Sequence, residues 1–337
     1  MLDERKASIL RAVVTRYIET AQPVGSSQVV DSAAVGVSSA TVRNEMTLLE
    51  REGYLAQPHT SAGRIPTEKG YRYFVDHLPG HGDLGPVQAR EVRAFFSHAH
   101  GELEQMLKST SRLLARLTAT TALVVGDAAE TATVRSVQLV PLSGRSMLAV
   151  VVLSNGTVLK RSIESAQVLT DDQAATATGI VAETLGGQQI HERVAAAPSG
   201  DVAVDDLVER ALAGIRVTAE EERRHVFVEG SANMAGAFET VSTLQEVLHV
   251  LEQQITVVSL LEDVLHRGLS VAIGSETGVA PLAECSVVVA PFMVGGEHAG
   301  TIGVLGPTRM NYAATLAAVA MVSRRLSHVL TEGESGA

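Results

Sequence analysis

Four polar side chains lie close together near the start of the segment 37–55: Ser39, Thr41, Arg43 and Asn44. Hydroxyl and amide groups bond to phosphate oxygens and base edges, and arginine pairs with guanine or with a neighbouring phosphate. If the segment is helical, this face has the chemistry of a DNA contact. An amphipathic helix with a solvated polar face has the same composition, so the flanking elements must decide between the two.

The segment 37–55 has the pattern of a helix with one buried face. The apolar residues that recur at i, i+4 and i+7 are Val42, Met46 and Leu49. Ser38 or Ser39 can cap the N-terminus, because a hydroxyl accepts a bond from an otherwise unpaired backbone N–H. Gly53 can end the helix, because left-handed backbone costs glycine little.

The surrounding residues predict a helix-turn-helix followed by a two-stranded loop. The predicted elements are a helix over 3–20, a short helix over 27–33 capped by Ser26, the helix in 37–55, strands at 54–56 and 64–65, and a helix over 68–78. An ordinary hairpin between helices is the alternative interpretation of the two strands. A two-stranded loop directly after a third helix is typical of a winged helix, and the order of these pieces favours that interpretation.

Two groups of side chains are the candidate DNA contacts. The residues expected in the major groove are Thr41, Arg43 and Asn44. Those expected to contact phosphate are Ser26, Ser38 and Ser39. Those expected along the backbone or in the minor groove are His59, Thr60, Ser61 and Arg64.

The charge balance counts against this interpretation. Residues 1–80 contain nine Lys and Arg residues and nine Asp and Glu residues, so the region is neutral. The remaining residues carry the whole net charge of −11. DNA-binding domains are commonly basic, so a neutral region permits DNA binding without predicting it.

The composition argues against an enzyme, a metal site or a cofactor. The single cysteine, Cys285, excludes an internal disulfide framework and begins an apolar run typical of a core strand. The histidines are scattered, and His98 and His100 would point apart on a helix. The glycines fit turns better than a phosphate-binding loop. No apolar run is long enough to cross a bilayer and the first residues lack a signal-peptide core, so we expect a cytoplasmic protein.

The rest of the 337 residues predicts an α+β architecture of two or three domains. A glycine-rich linker at 80–86 precedes a predicted helix over 87–118. The predicted strands are 122–125, 134–141, 147–153, 158–163, 225–229, 269–273, 285–294 and 299–305. Between these sheet-forming halves, residues 190–267 are largely helical, as expected of an inserted domain. Its leucine-rich segment 241–265 is a candidate dimer interface, or else part of a monomer's own core.

Several long strings of residues resemble the heat-inducible transcription repressor family HrcA. In the first part of the chain they are PVGSSQV, SSATVRNEM, LEREGYL and HTSAGRIPTEKGYRYFVD. Near the end they are GTIGVLGPTRMNY and SRRLSHVL. The resemblance implies a winged helix, a GAF-like domain and a dimerising domain inserted within it. It also implies the CIRCE inverted repeat before chaperone operons as the target, and the GroE chaperonin as a partner.

Combined with the resemblance, the residue patterns predict a dimeric repressor of heat-shock operons that is released on heat stress. The expected divisions are a winged-helix domain 1–79, a linker and connecting helix 80–120, a GAF-like domain 121–189 plus 268–331, an inserted dimerising domain 190–267 and a tail 332–337. The alternative is a winged helix used for protein contacts, coupled to a GAF-like sensor of a small ligand.

Overall fold

The computed structural model describes most of the chain. The described residues are 2–32, 36–59, 62–78, 84–97, 103–127, 133–143, 145–154, 157–190, 194–221, 224–236, 238, 240–267 and 270–334. Thr60 and Ser61 lie outside them.

The first part of the chain, residues 4–78, forms a small bundle that we call the N-terminal unit. Its elements are α1 (Glu4–Thr20), α2 (Ser26–Ser32), α3 (Ser39–Arg51), β1 (Leu55–Ala56), β2 (Ile65–Pro66) and α4 (Glu68–Asp76). Side chains cap three of the helices: Asp3 accepts from the N–H of Lys6, and Ser38 and Thr67 do the same for α3 and α4. Apolar faces of α1 and α3 meet in the buried core of the unit.

A short antiparallel ladder closes the N-terminal unit. Leu55 pairs with Pro66, and the ladder is extended by a bridge in which Val24 and Arg64 exchange two backbone hydrogen bonds of 2.9 Å. The strands approach so closely at Gly63 that an added Cβ would lie within 2.5 Å of the Val24 carbonyl carbon. Only glycine fits there without moving the ladder.

The remaining elements follow in chain order. They are α5 (Pro86–Ser97), α6 (Leu103–Thr118), β3 (Thr121–Asp127), β4 (Val134–Ser143), β5 (Ser146–Leu153), β6 (Val158–Glu164), α7 (Asp171–Leu185), α8 (Val202–Glu221), β7 (Arg224–Glu229), α9 (Val241–Glu252), α10 (Gln254–His266), β8 (Val271–Ile273), β9 (Cys285–Val294), β10 (Glu297–Pro307) and α11 (Tyr312–Glu334).

One antiparallel sheet forms the centre of the molecule, with strand order β7-β3-β10-β9-β8. Successive residues of a strand point to opposite faces, so Val124 packs with α6 and α11 while Leu123 packs with α9 and α10. Burial on both faces explains the continuous apolar runs of β3 and β9. The N-terminal unit belongs to the same buried cluster as the α6 and α11 face.

A second antiparallel sheet, β4-β5-β6, has its own buried cluster with α7 and α8. In the part of the chain that the structure describes, helices cover one of its faces, as the alternating burial of β5 shows. The chain enters this unit after β3 and leaves it before β7, the neighbour of β3 in the central sheet. Residues 134–221 are therefore the insertion.

The α+β class is confirmed, but the arrangement differs from the expected divisions. The strands at 134–164 were expected in one domain with the last strands, and instead form a separate sheet with α7 and α8. The leucine-rich segment 241–265 was expected in the insertion. It forms α9 and α10, which bury Val247, Leu251 and Leu261 against the central sheet. Its apolar face is thus part of the chain's own core.

Candidate nucleic-acid interface

Helix α3 presents its polar face to solvent because its apolar face is buried in the core of the N-terminal unit. Val42, Met46 and Leu49 are buried, as their spacing predicts. Ser38 is the cap: its hydroxyl accepts from the N–H of Thr41 at 3.3 Å. Gly53 follows the helix with a φ of 78°, which is the left-handed conformation expected of it.

The outward side of α3 carries a row of side chains that we call the exposed strip. Its members are the exposed Ala40, Arg43, Asn44, Leu48 and Arg51, together with the half-buried Thr47 between them. Their spacing of three and four residues places them along one face of the helix. The sequence interpretation named Arg43 and Asn44 and missed the other four. Continuing the same helical period from Asn44 would have found them.

The hydroxyl groups predicted to contact phosphate bond mainly to one another. Ser26 is nearly buried, and its Oγ lies 2.9 Å from the Oγ of Ser39, which ties α2 to α3. The Oγ of Ser38 lies 3.1 Å from the Oγ1 of Thr41. Each hydroxyl keeps lone pairs for further bonds, so these groups shape the start of α3 first and are free only in part.

The acids of α3 and its end are paired with basic side chains from outside the exposed strip. Glu50 lies 2.9 Å from Arg64, Glu52 lies 2.7 Å from Lys6, and Glu45 lies 3.9 Å from Arg5. The hydrogen bond from Lys6 to Glu52 raises the pKa of Lys6. Within the described residues, no acid is paired with the guanidinium of Arg43 or Arg51. The exposed strip therefore carries two positive charges in a region whose formal charge is zero.

The loop between β1 and β2 supplies fewer groups than expected. His59 is exposed at its start. Thr60 and Ser61 lie outside the described residues. Arg64 does not extend into solvent: its side chain is only 17% exposed, and its Nε donates to Glu50 at 2.9 Å. Arg64 thus fastens the loop to α3.

Other chemistry finds little support in the described part of the chain. No group of three or more His, Cys, Asp or Glu side chains there could hold a metal ion. Burial raises the pKa of the Cys285 thiol to about 12, so this sulfur is not a nucleophile at neutral pH. None of the helices described is long and apolar enough to cross a membrane.

Comparison with known proteins identifies the family. The model of the HrcA protein C-terminal domain matches residues 104–316. The heat-inducible transcription repressor HrcA of Rhodococcus jostii is 38% identical, with 98% of this chain and 99% of that protein covered. The repressor of the same name from Nocardia farcinica is 37% identical, with coverages of 98% and 97%.

A solved structure has the same overall architecture. It is described as a hypothetical protein at 2.2 Å resolution and is 26% identical in sequence, with a TM-score of 0.69 over 98% of this chain and 99% of that one. The two named relatives and the family model together span both the N-terminal unit and the central sheet. The chain belongs to the HrcA family of heat-inducible transcription repressors.

Proposed function

We propose that the N-terminal unit is a winged helix-turn-helix that places α3 in the major groove of DNA. The exposed strip is the observation that carries this proposal. Arg43 and Arg51 can pair with guanine or phosphate, Asn44 can pair with adenine, and the apolar Ala40 and Leu48 can meet thymine methyl groups. A helix of 13 residues is long enough to present all of them to one groove.

The remaining predicted site residues have supporting roles in this proposal. Thr41 and the serines Ser26, Ser38 and Ser39 hold the start of α3 in place and use their spare lone pairs near the backbone. His59, Thr60 and Ser61 approach the DNA backbone or minor groove. Arg64 holds this loop against α3 through Glu50, which is a different role from the direct contact that its sequence position suggests.

We further propose that the repressor is a homodimer formed by the insertion. The outer face of its sheet carries apolar side chains beside the polar Gln138 and Lys160, and no helix among the described residues covers it. Leu148 and Val150 of β5 point outward beside Val140 of β4 and Val158 of β6, and the last two are 38% and 44% exposed. Apolar patches of this kind mark interfaces. A second copy is the fitting occupant because an inverted-repeat operator requires two related α3 helices.

In this proposal the target is a CIRCE-type inverted repeat before chaperone operons, and the central sheet is a GAF-like domain. Heating lowers the amount of active dimer through partial unfolding, since one or two kcal/mol changes a folded fraction severalfold (about 5–30-fold). The GroE chaperonin restores the dimer, so stress that occupies the chaperonin releases repression. Operator binding by purified protein over a temperature ramp, with and without chaperonin and ATP, tests this release. Full binding above the heat-shock temperature without chaperonin would contradict it.

A salt-titrated band-shift assay on the inverted repeat tests DNA binding. Arg43→Ala should cost roughly 1–3 kcal/mol of operator affinity, because a bidentate guanine contact is lost. Arg93→Ala is the matched control, since it removes one exposed arginine from α5 instead of α3. Equal affinities of the folded wild type, Arg43→Ala and Arg93→Ala proteins would remove α3 from the interface.

Sedimentation tests the dimer. Val150→Asp places a charge at the centre of the outer sheet face and should give a monomer with weak operator binding. Ala175→Asp is the control, because it adds the same charge on the exposed side of α7, which packs against the opposite face of the sheet. A Val150→Asp protein that remains dimeric would move the interface away from this face.

The alternative is a winged helix used for protein contacts and coupled to a GAF-like sensor of a small ligand. The neutral charge of residues 1–80 is the observation in its favour. If the winged helix serves to bind a protein partner, the chain should not bind the operator even at low salt, where DNA binding is tightest.

A further inference from the structure

Arg72 of α4 fastens the N-terminal unit to the central sheet. The Nε of Arg72 donates to the Oε1 of Glu276 at 2.9 Å, and its Nη2 donates to the Val271 carbonyl at 2.8 Å and to the second oxygen of Glu276. Glu276 belongs to the 3₁₀ turn Gly274–Thr277 that follows β8. The two partners are separated by 204 positions in the chain. A two-pronged guanidinium–carboxylate pair fixes orientation as well as distance.

A second contact, one helical turn away, joins the same two elements. Glu68 accepts from the backbone N–H of Ser275 at 3.0 Å and from its hydroxyl at 2.6 Å. Glu68 and Arg72 are four residues apart and therefore on the same face of α4. Gly274, with a φ of 55°, leaves the space that Glu68 occupies: an added Cβ would lie 2.6 Å from its Cδ. We call these two contacts the clamp.

The apolar side of the joint is also closed. Tyr71 is 3% exposed and its ring lies 5.9 Å from that of Tyr312, the first residue of α11. The Tyr312 hydroxyl donates to the Thr308 carbonyl at 2.6 Å and shares a hydrogen bond with Ser286. Polar clamp and buried rings together leave α4 little freedom to turn on the sheet.

Hydrogen bonds from α4 and its cap fix the C-terminal end of α3 relative to α4. The Oγ1 of Thr67 donates to the Gly53 carbonyl at 2.7 Å, and the Nζ of Lys69 donates to the Glu52 carbonyl at 2.8 Å. A continuous series of hydrogen bonds therefore runs from the central sheet through the clamp and α4 to the C-terminal end of α3.

We propose that Glu68 and Arg72 are positioning residues that set the distance between the half-sites which the dimer accepts. This inference rests on the proposed dimeric DNA binding. Two α3 helices held rigidly relative to their sheets fit only one separation, whereas loosely attached units fit several. The clamp thereby determines spacing specificity without touching DNA.

The first test compares operators with altered spacers. Adding half a helical turn, about five base pairs, should weaken wild-type binding at least tenfold, because it rotates one half-site to the opposite side of the duplex. Arg72→Met keeps the aliphatic stem and should reduce that penalty to threefold or less (roughly), while affinity for a single half-site stays unchanged. Arg210→Met is the control, because Arg210 forms an ion pair of the same 2.9 Å length within α8. An unchanged spacer penalty in Arg72→Met would overturn the proposal.

The second test needs no DNA and so separates this inference from the proposed function. Spin labels at Gln22→Cys in the N-terminal unit and Glu297→Cys on β10 report their separation within one subunit, measured with excess unlabelled protein. Cys285 is fully buried and does not compete for label. The wild type should give one narrow distance, and Arg72→Met and the milder Glu68→Gln should broaden it. An equally narrow distance in both variants refutes the clamp, even if operator binding proves absent.

Discussion

Gly63→Ala is a sharp test of how the N-terminal unit is built, because one added methyl group has nowhere to go. The new Cβ would overlap the Val24 carbonyl and lie within 2.5 Å of its carbon atom, both of which are backbone. A side chain could rotate away, but a paired backbone cannot. The loop must therefore separate from Val24.

The cost follows from the contacts that separation breaks. Two backbone hydrogen bonds of 2.9 Å join Val24 and Arg64, and each contributes about 0.5–1.5 kcal/mol net. Strain from overpacking adds about 1–3 kcal/mol where the ladder yields only in part. We expect Gly63→Ala to lower the free energy of unfolding of this unit by about 2–6 kcal/mol.

Tyrosine fluorescence during urea unfolding is the assay. The chain has no tryptophan, and four of its five tyrosines (Tyr17, Tyr54, Tyr71 and Tyr73) are in the N-terminal unit. The signal therefore reports mainly on this unit within the full chain. Gly63→Ala should move the transition to lower urea and weaken operator binding.

Gly179→Ala is the matched control. Gly179 lies in the middle of α7, and a Cβ added there meets no atom within 4 Å. Alanine in an exposed helix is favoured over glycine by about 1 kcal/mol, so this variant should not be destabilised. A tyrosine transition of Gly63→Ala at the wild-type urea concentration would refute the close approach of loop and Val24.

Three further outcomes are expected. Arg51→Ala should weaken specific and random DNA binding alike and shallow the salt dependence by about one counterion, as band shifts at several salt concentrations would show. Arg64→Ala should weaken operator binding by roughly 1 kcal/mol, and Glu50→Gln should do the same, because the loop is released in both; tighter binding by Glu50→Gln would instead mean that a freed Arg64 contacts phosphate. Although burial raises the pKa of Glu276, hydrogen bonds from Arg72 and from the N–H of Ile273 outweigh this effect and hold the pKa below its ordinary value of 4.5. The stabilisation that the clamp contributes should therefore be complete above pH 4.5 and lost as the pH falls through the lower pKa of the folded state. Melting temperatures of the wild type and Glu276→Gln should accordingly converge in acid.

Local patterns in the sequence were sufficient for the N-terminal unit. The cap at Ser38, the buried face of α3 and the left-handed Gly53 all depend on residues within a few positions of one another. The clamp could not be predicted in this way, because Arg72 and Glu276 are partners only after the whole central sheet has formed. The pairing of Glu50 with Arg64 could not be predicted either, because each of these side chains could equally have faced solvent.

The predicted bounds of the insertion were wrong because the prediction did not consider whether each strand buries one face or both. β6 alternates buried and exposed residues, as expected of a sheet with one covered face. β9 begins with five buried residues in succession, Cys285 to Val289, as expected of a strand covered on both sides. That contrast is visible in the sequence of these two strands, but it does not extend to β5, whose residues 147–153 are all apolar although their burial alternates. The leucine-rich segment gave no such guidance, because helices at a dimer interface and helices on a sheet have similar apolar faces.

The neutral charge of residues 1–80 has a structural explanation that bears on DNA binding. Three of its nine basic side chains, Arg5, Lys6 and Arg64, are paired with acids of α3 or its end. The same pairs remove the three acids that would otherwise repel DNA near α3. What is left on the outward side of α3 is the exposed strip with Arg43 and Arg51. Local attraction at this surface depends on which charges are paired, and a neutral domain can therefore present a positive face to DNA.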